Sequence, residues 1–93
     1  MSNVHHPETD SEAKQLCQKG RVVVKFGAEW CPPCVKIQPL LVELAAKNSS
    51  YNLVLVDVDK CEDFANEHQI EGLPTIKIIN DGSLLEQSVG FKD

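Results

Sequence analysis

The chain lacks any apolar run approaching the ~20 residues that cross a bilayer as a helix, so no membrane-spanning segment is expected. It also lacks a basic cluster, or aromatic and basic residues interleaved. Fourteen acids against nine Lys and Arg leave a net charge of −5, which makes nucleic acid and anionic membranes poor partners. Five Gly and five Pro without a period exclude a collagen-like, low-complexity or solenoid chain. Met1 to Asp10 has neither the basic nor the apolar region of a signal peptide, and the expectation is a cytoplasmic protein.

What is present suits one globular domain spanning residues 1–93, with 42% hydrophobic and 25% charged residues. Four cysteines are too few and too unevenly placed for a disulfide-stapled scaffold. Cys31 and Cys34 form a CxxC pair, which in a cytosolic setting points to redox or metal chemistry.

The pattern along the chain predicts alternating strands and helices. Asn3 to His6 suggests a short edge strand stopped by Pro7. A first helix is expected from Asp10 or Ser11, with Ala13, Leu16 and Cys17 as its apolar stripe and Gly20 as its end. Arg21 to Gly27 reads as a strand buried on both faces, and Leu53 to Val58 as another. Between them Ile37, Leu40, Leu41, Leu44 and Ala45 recur at helical spacing, in a helix that Pro39 should kink. Strand, helix, strand in this order is a βαβ crossover, with the CxxC at the carboxyl end of its first strand. A short helix around Phe64 and Ala65 precedes two strands, Thr75 to Ile79 and Leu84 to Val89, joined as a hairpin by Asn80-Asp81-Gly82.

Two cysteines three apart at the start of a helix fall on one face, within disulfide reach. Cys31 precedes a helix N-terminus, where free amides and the helix dipole favour its thiolate. Attack by Cys31 on a disulfide gives a mixed disulfide, which Cys34, one turn away, then resolves. A residue before proline avoids helical geometry, so the helix is expected to begin at Pro33. Pro32 then removes an amide that would otherwise solvate the Cys31 sulfur, leaving chiefly the Cys34 N–H. The other reading of CxxC is a zinc half-site, but Cys17, Cys61, His5, His6 and His68 offer no second closely spaced pair.

Phe26-Gly27-Ala28-Glu29-Trp30-Cys31-Pro32-Pro33-Cys34 resembles the active-site segment of the thioredoxin family. The resemblance continues through Pro39, Val56-Asp57-Val58-Asp59, Gly72-Leu73-Pro74-Thr75, Asn80-Asp81-Gly82 and Val89-Gly90, almost the whole chain. It implies an α/β thioredoxin fold, a central mixed β-sheet flanked by α-helices. It further implies a dithiol enzyme that reduces protein disulfides without a bound cofactor, recharged by an NADPH-dependent thioredoxin reductase or another dithiol donor. Peroxiredoxins and other disulfide proteins would be acceptors, and the working unit a monomer. By the same likeness the Leu73–Pro74 bond is cis, although a strand-starting proline would give the same letters. Trp30, Gly72, Leu73, Pro74, Val89 and Gly90 would form the shallow surface where an extended substrate docks, unless Trp30 is simply packed in the core.

Three departures stand out. The family commonly has Gly where Pro32 stands, although CPPC occurs in tryparedoxins and nucleoredoxins, and this leaves a glutathione-coupled or isomerase-type relative open. By the resemblance Lys25 occupies the place of a buried acid that helps move the proton of the resolving cysteine; it is either a charge that favours thiolates, a neutral amine base whose pKa burial lowers, or a side chain that snorkels to solvent. Thioredoxins continue with a final helix, whereas this chain ends at Asp93, implying truncation or a sheet face that is exposed or covered by a partner. Lys25 and the missing helix also keep open a redox-inactive binding or scaffold module. Cys61 matches a position where animal thioredoxins carry an extra, regulatory cysteine, but it and Cys17 read more simply as packed or exposed thiols. His5, His6 and His68 read as solvated surface.

Overall fold

The computed structural model describes residues 3–90; Met1, Ser2 and residues 91–93, including the chain end at Asp93, lie outside the described residues. Eight elements follow one another: β1 (Val4–His5), α1 (Asp10–Leu16), β2 (Arg21–Gly27), α2 (Pro32–Lys47), β3 (Asn52–Asp57), α3 (Glu62–Glu67), β4 (Thr75–Asn80) and β5 (Ser83–Val89). They build one five-stranded sheet in the order β1-β3-β2-β4-β5. The pairs β1·β3 and β2·β3 are parallel, β2·β4 and β4·β5 antiparallel. The mixed sheet flanked by helices is the expected thioredoxin fold, and no helix follows β5 among the described residues.

Side-chain alternation along β2 divides the core. Val22, Val24 and Phe26 join Ala13 and Cys17 near α1, Phe64 and Ala65 of α3, and Val54 and Val56 of β3. Val23 points to the other face, where Ala45 of α2 packs with Leu53 and Leu55. Ile76 and Ile78 of β4 alternate with buried Thr75, Lys77 and Ile79 and are only half-buried.

The helix ends have identifiable partners. Thr9 caps α1, its hydroxyl accepting from the Glu12 amide at 3.1 Å. The helix stops at Leu16 with Cys17 as its cap, earlier than Gly20, whose positive φ of 73° instead serves the turn into β2. Cys61 caps α3 without a side-chain hydrogen bond, and Asp10 substitutes for it: its Oδ1 accepts from the Phe64 amide at 2.8 Å. Asn3 secures the end of α2, with Nδ2 at 3.0 Å from the Ala45 carbonyl and 2.8 Å from the Tyr51 carbonyl. The hairpin turns on Asp81 and Gly82, at φ 49° and 86°, and positive φ at both residues matches the twist of the flanking strands.

Asp10→Ala leaves the first turn of α3 without its acceptor. It should lower unfolding stability by about 1 kcal/mol, read as a lower urea midpoint at unchanged slope.

Candidate active site

The site lies where β2 hands over to α2. Gly27 ends the strand, Ala28 turns the chain, and the Cys31 amide donates to the Ala28 carbonyl at 3.2 Å. Cys31 is the N-cap of α2, its carbonyl accepting from the Val35 amide at 3.1 Å. The helix thus begins at Pro32, one residue before the expected Pro33. Both prolines occupy first-turn positions that have no intrahelical N–H partner to lose, and their fixed φ is already helical. Pro39 sits inside α2, which continues across it as one element.

Cys31 and Cys34 are joined as a disulfide across a Cα–Cα distance of 5.3 Å. Cys34 is fully buried and Cys31 is 6% exposed, so Cys31 is the sulfur an incoming group can approach. Ala28 packs with the pair, and Val58 and Leu73 lie against it. With Pro at two successive positions, the Cys34 N–H is the first free amide of the helix terminus.

Trp30 is 67% exposed, which removes the core-packing reading. Its Nε1 donates to Asp59 Oδ2 at 2.8 Å, fixing an indole face beside the cysteines. A groove of about 680 Å³ runs from Trp30, Cys31, Pro32 and Pro33 to Gly72 and Leu73. Leu73–Pro74 is a cis bond and Pro74 is buried, so Pro74 supports the groove rather than lining it. Val89 and Gly90 do not line it either; they hold its rim. The Gly90 amide donates to the Pro74 carbonyl at 2.8 Å, and a Cβ on Gly72 would come within 3.0 Å of Val89 Cγ1. Asp59, Glu62 and Glu71 also line the groove, and among the described residues none of its lining is a cation. Their letters alone carried no signal, because carboxylates on loops and short helices read as solvated surface.

Lys25 is 5% exposed and does not snorkel: Nζ donates to Gln38 Oε1 at 2.6 Å. Burial lowers its pKa, opposed by the Asp57 carboxylate. A second buried lysine, Lys77, lies on the opposite face, donating to the His68 carbonyl at 2.7 Å. The solvated reading of His68 is corrected by this packing. Its ring stands 4.6 Å from Phe64 and 5.3 Å from Phe26 between centroids, and burial followed by Lys77 lowers its pKa. His5 bonds to Asn52 at 3.2 Å and His6 is exposed. Cys17 and Cys61 are buried free thiols in the main core, with burial raising Cys17 to about 11 and Cys61 in the same direction.

The thioredoxin family model matches residues 3–93. A thioredoxin H-type protein of Ricinus communis is 40% identical over 74 residues, 80% of this chain; the chain spans 63% of that protein's length, less than two thirds. The solved reduced thioredoxin pre-protein of Schistosoma mansoni superposes with a TM-score of 0.88 at 36% identity, covering 96% of this chain and 87% of that one. A chain in the structure describing the thiol resolving mechanism in yeast mitochondrial 1-Cys peroxiredoxin via glutathione/thioredoxin systems superposes with a TM-score of 0.81 at 28% identity, covering 94% and 83%.

Restoring an amide at the first helical position should help solvate the Cys31 sulfur. Pro32→Gly is therefore expected to lower the Cys31 pKa, seen as alkylation of the reduced protein that sets in at lower pH than in wild type.

Proposed function

The chain belongs to the thioredoxin family, and from that premise we propose that it is a thiol–disulfide oxidoreductase that reduces protein disulfides with Cys31 as nucleophile and Cys34 as resolving thiol. The observation that carries this reading is the cysteine pair at a helix N-terminus, with the more exposed sulfur facing a groove built on Trp30 and Leu73. A binding module has no need of two thiols within bonding reach.

In the reduced protein the Cys31 thiolate attacks one sulfur of an acceptor disulfide. A Cys31–acceptor bond forms and the acceptor's other sulfur leaves as a thiolate that takes a proton from water. Cys34, after losing its own proton, attacks Cys31 Sγ. The Cys31–Cys34 bond closes and the second acceptor sulfur departs, so two electrons have passed to the acceptor. The helix terminus favours the attacking thiolate, and the short tether makes the second attack intramolecular. An extended acceptor segment lies in the groove against the fixed indole of Trp30, while Gly72 keeps the wall low.

In this reading the protein works through its thiols without a bound cofactor, and a second dithiol reopens the disulfide. We assign that step to a thioredoxin reductase drawing on NADPH, with peroxiredoxins among the acceptors; the likeness to a chain from a peroxiredoxin-resolving system supports the latter choice. The working unit in this reading is a monomer and its compartment the cytoplasm, where thiol pools keep the dithiol charged.

Insulin-disulfide reduction with dithiothreitol tests the proposal. Wild type should accelerate it, whereas Cys31→Ser and Cys34→Ser should each fall to the uncatalysed rate, and Cys34→Ser should accumulate a covalent adduct with its acceptor. A folded wild-type protein without turnover overturns the reading.

A further inference from the structure

A lysine in the middle of a core strand is costly unless its charge is used or compensated. Lys25 pairs across the ladder with Leu55 on one side and Ile76 on the other, so its strand neighbours offer no polar partner. Its head group turns to α2 and meets Gln38 Oε1, a neutral acceptor that leaves the positive charge in place.

That charge stands next to the resolving cysteine. The point a Cβ on Gly27 would occupy is 3.2 Å from Lys25 Nζ and 3.1 Å from Cys34 Cβ. Both therefore border the one space that a side chain at Gly27 would fill. Cys34 has no exposure to water, so its thiolate must find stabilisation within the protein. Among the described residues the other buried cation, Lys77, is committed to the His68 carbonyl across the sheet. Lys25 and Gly27 also line an open cavity of about 650 Å³, which opens the lysine side of Gly27 to solvent. The charged and titratable groups lining that cavity are Asp57 from β3, Glu43 from α2, Glu29 before α2, His6 and Glu8 before α1, and Lys60 after β3.

We propose that Lys25 is a positioning residue for the second half of the reaction: its ammonium, held by Gln38, stabilises the Cys34 thiolate that closes the Cys31–Cys34 bond. Cys34 Sγ–H gives its proton to water, and the thiolate stabilised by the ammonium attacks Cys31 Sγ. The acceptor sulfur leaves with the bonding electron pair and is protonated by water. Lys25 keeps its proton throughout. This inference rests on the dithiol reading above and extends it to the source of the resolving charge.

The test is titration of Cys34 in the fully reduced protein, followed by the 13Cβ chemical shift, in wild type, Lys25→Met and Lys25→Arg. The readout needs no acceptor, so it is independent of insulin turnover. Lys25→Met, similar in length and apolar, should raise the Cys34 pKa by about one unit, a tenfold loss of thiolate at a fixed pH below it. Lys25→Arg should keep the pKa within a few tenths of wild type, because it restores charge. Gln38→Leu, which frees the ammonium without removing it, should give an intermediate rise and serves as a second variant, its fold checked by the dispersion of its amide resonances. Equal Cys34 titration in wild type, Lys25→Met and Gln38→Leu overturns the inference even where wild type reduces insulin, whereas failure of wild-type turnover falls on the functional proposal alone.

Discussion

The parallel pairing of β2 with β3 is the constraint from which the site follows. The ladder runs in step from Val22 opposite Asn52 to Gly27 opposite Asp57, so the ends of both strands reach the same edge of the sheet. The Val58 amide extends it by donating to the Gly27 carbonyl at 2.9 Å. The loop after β3 therefore meets the loop after β2, and Asp59 arrives where the Trp30 indole can bond to it. A slip of one residue would exchange the faces of β2, putting Val24 where Lys25 now stands. Register, rather than any single side chain, sets the distance between the cysteines and the groove.

The strands and the reactive pair were readable because their signals are local. Gly20 and Gly27 bracket a β-branched and aromatic run, and β2 has those bounds. The start of α2 was misread because Pro33 argues against helix at Pro32 locally, while the free helix terminus favours proline at both positions. Gln38 carried no sequence signal, since a glutamine on a helix commonly faces water; its role exists only because Lys25 lies beneath it. Lys77 received no reading from the sequence; the alternation of β4 places it inward, where it meets the carbonyl end of α3. His68 was missed for the same reason: its neighbours Phe26 and Lys77 are remote in sequence and adjacent only after the sheet forms.

The two buried lysines occupy opposite faces and do different work. Lys77 satisfies a helix terminus and stands 5.9 Å from the Phe26 ring centroid, a cation against an aromatic face. Lys25 lies beside a helix start, where the dipole does not favour a cation. It is held by an amide oxygen at a point where an apolar side chain would cost the fold less. A charge kept against the local stability gradient is the mark of a site shaped by chemistry rather than by folding alone.

Gly27 ties these residues together sterically. A methyl at that position would approach Lys25 Cε to 2.7 Å, so alanine and the buried lysine compete for one space. An alanine at 27 would therefore have to push the lysine head group aside and would still stand 3.1 Å from Cys34 Cβ, so the lysine, the glycine and the resolving cysteine form one steric unit.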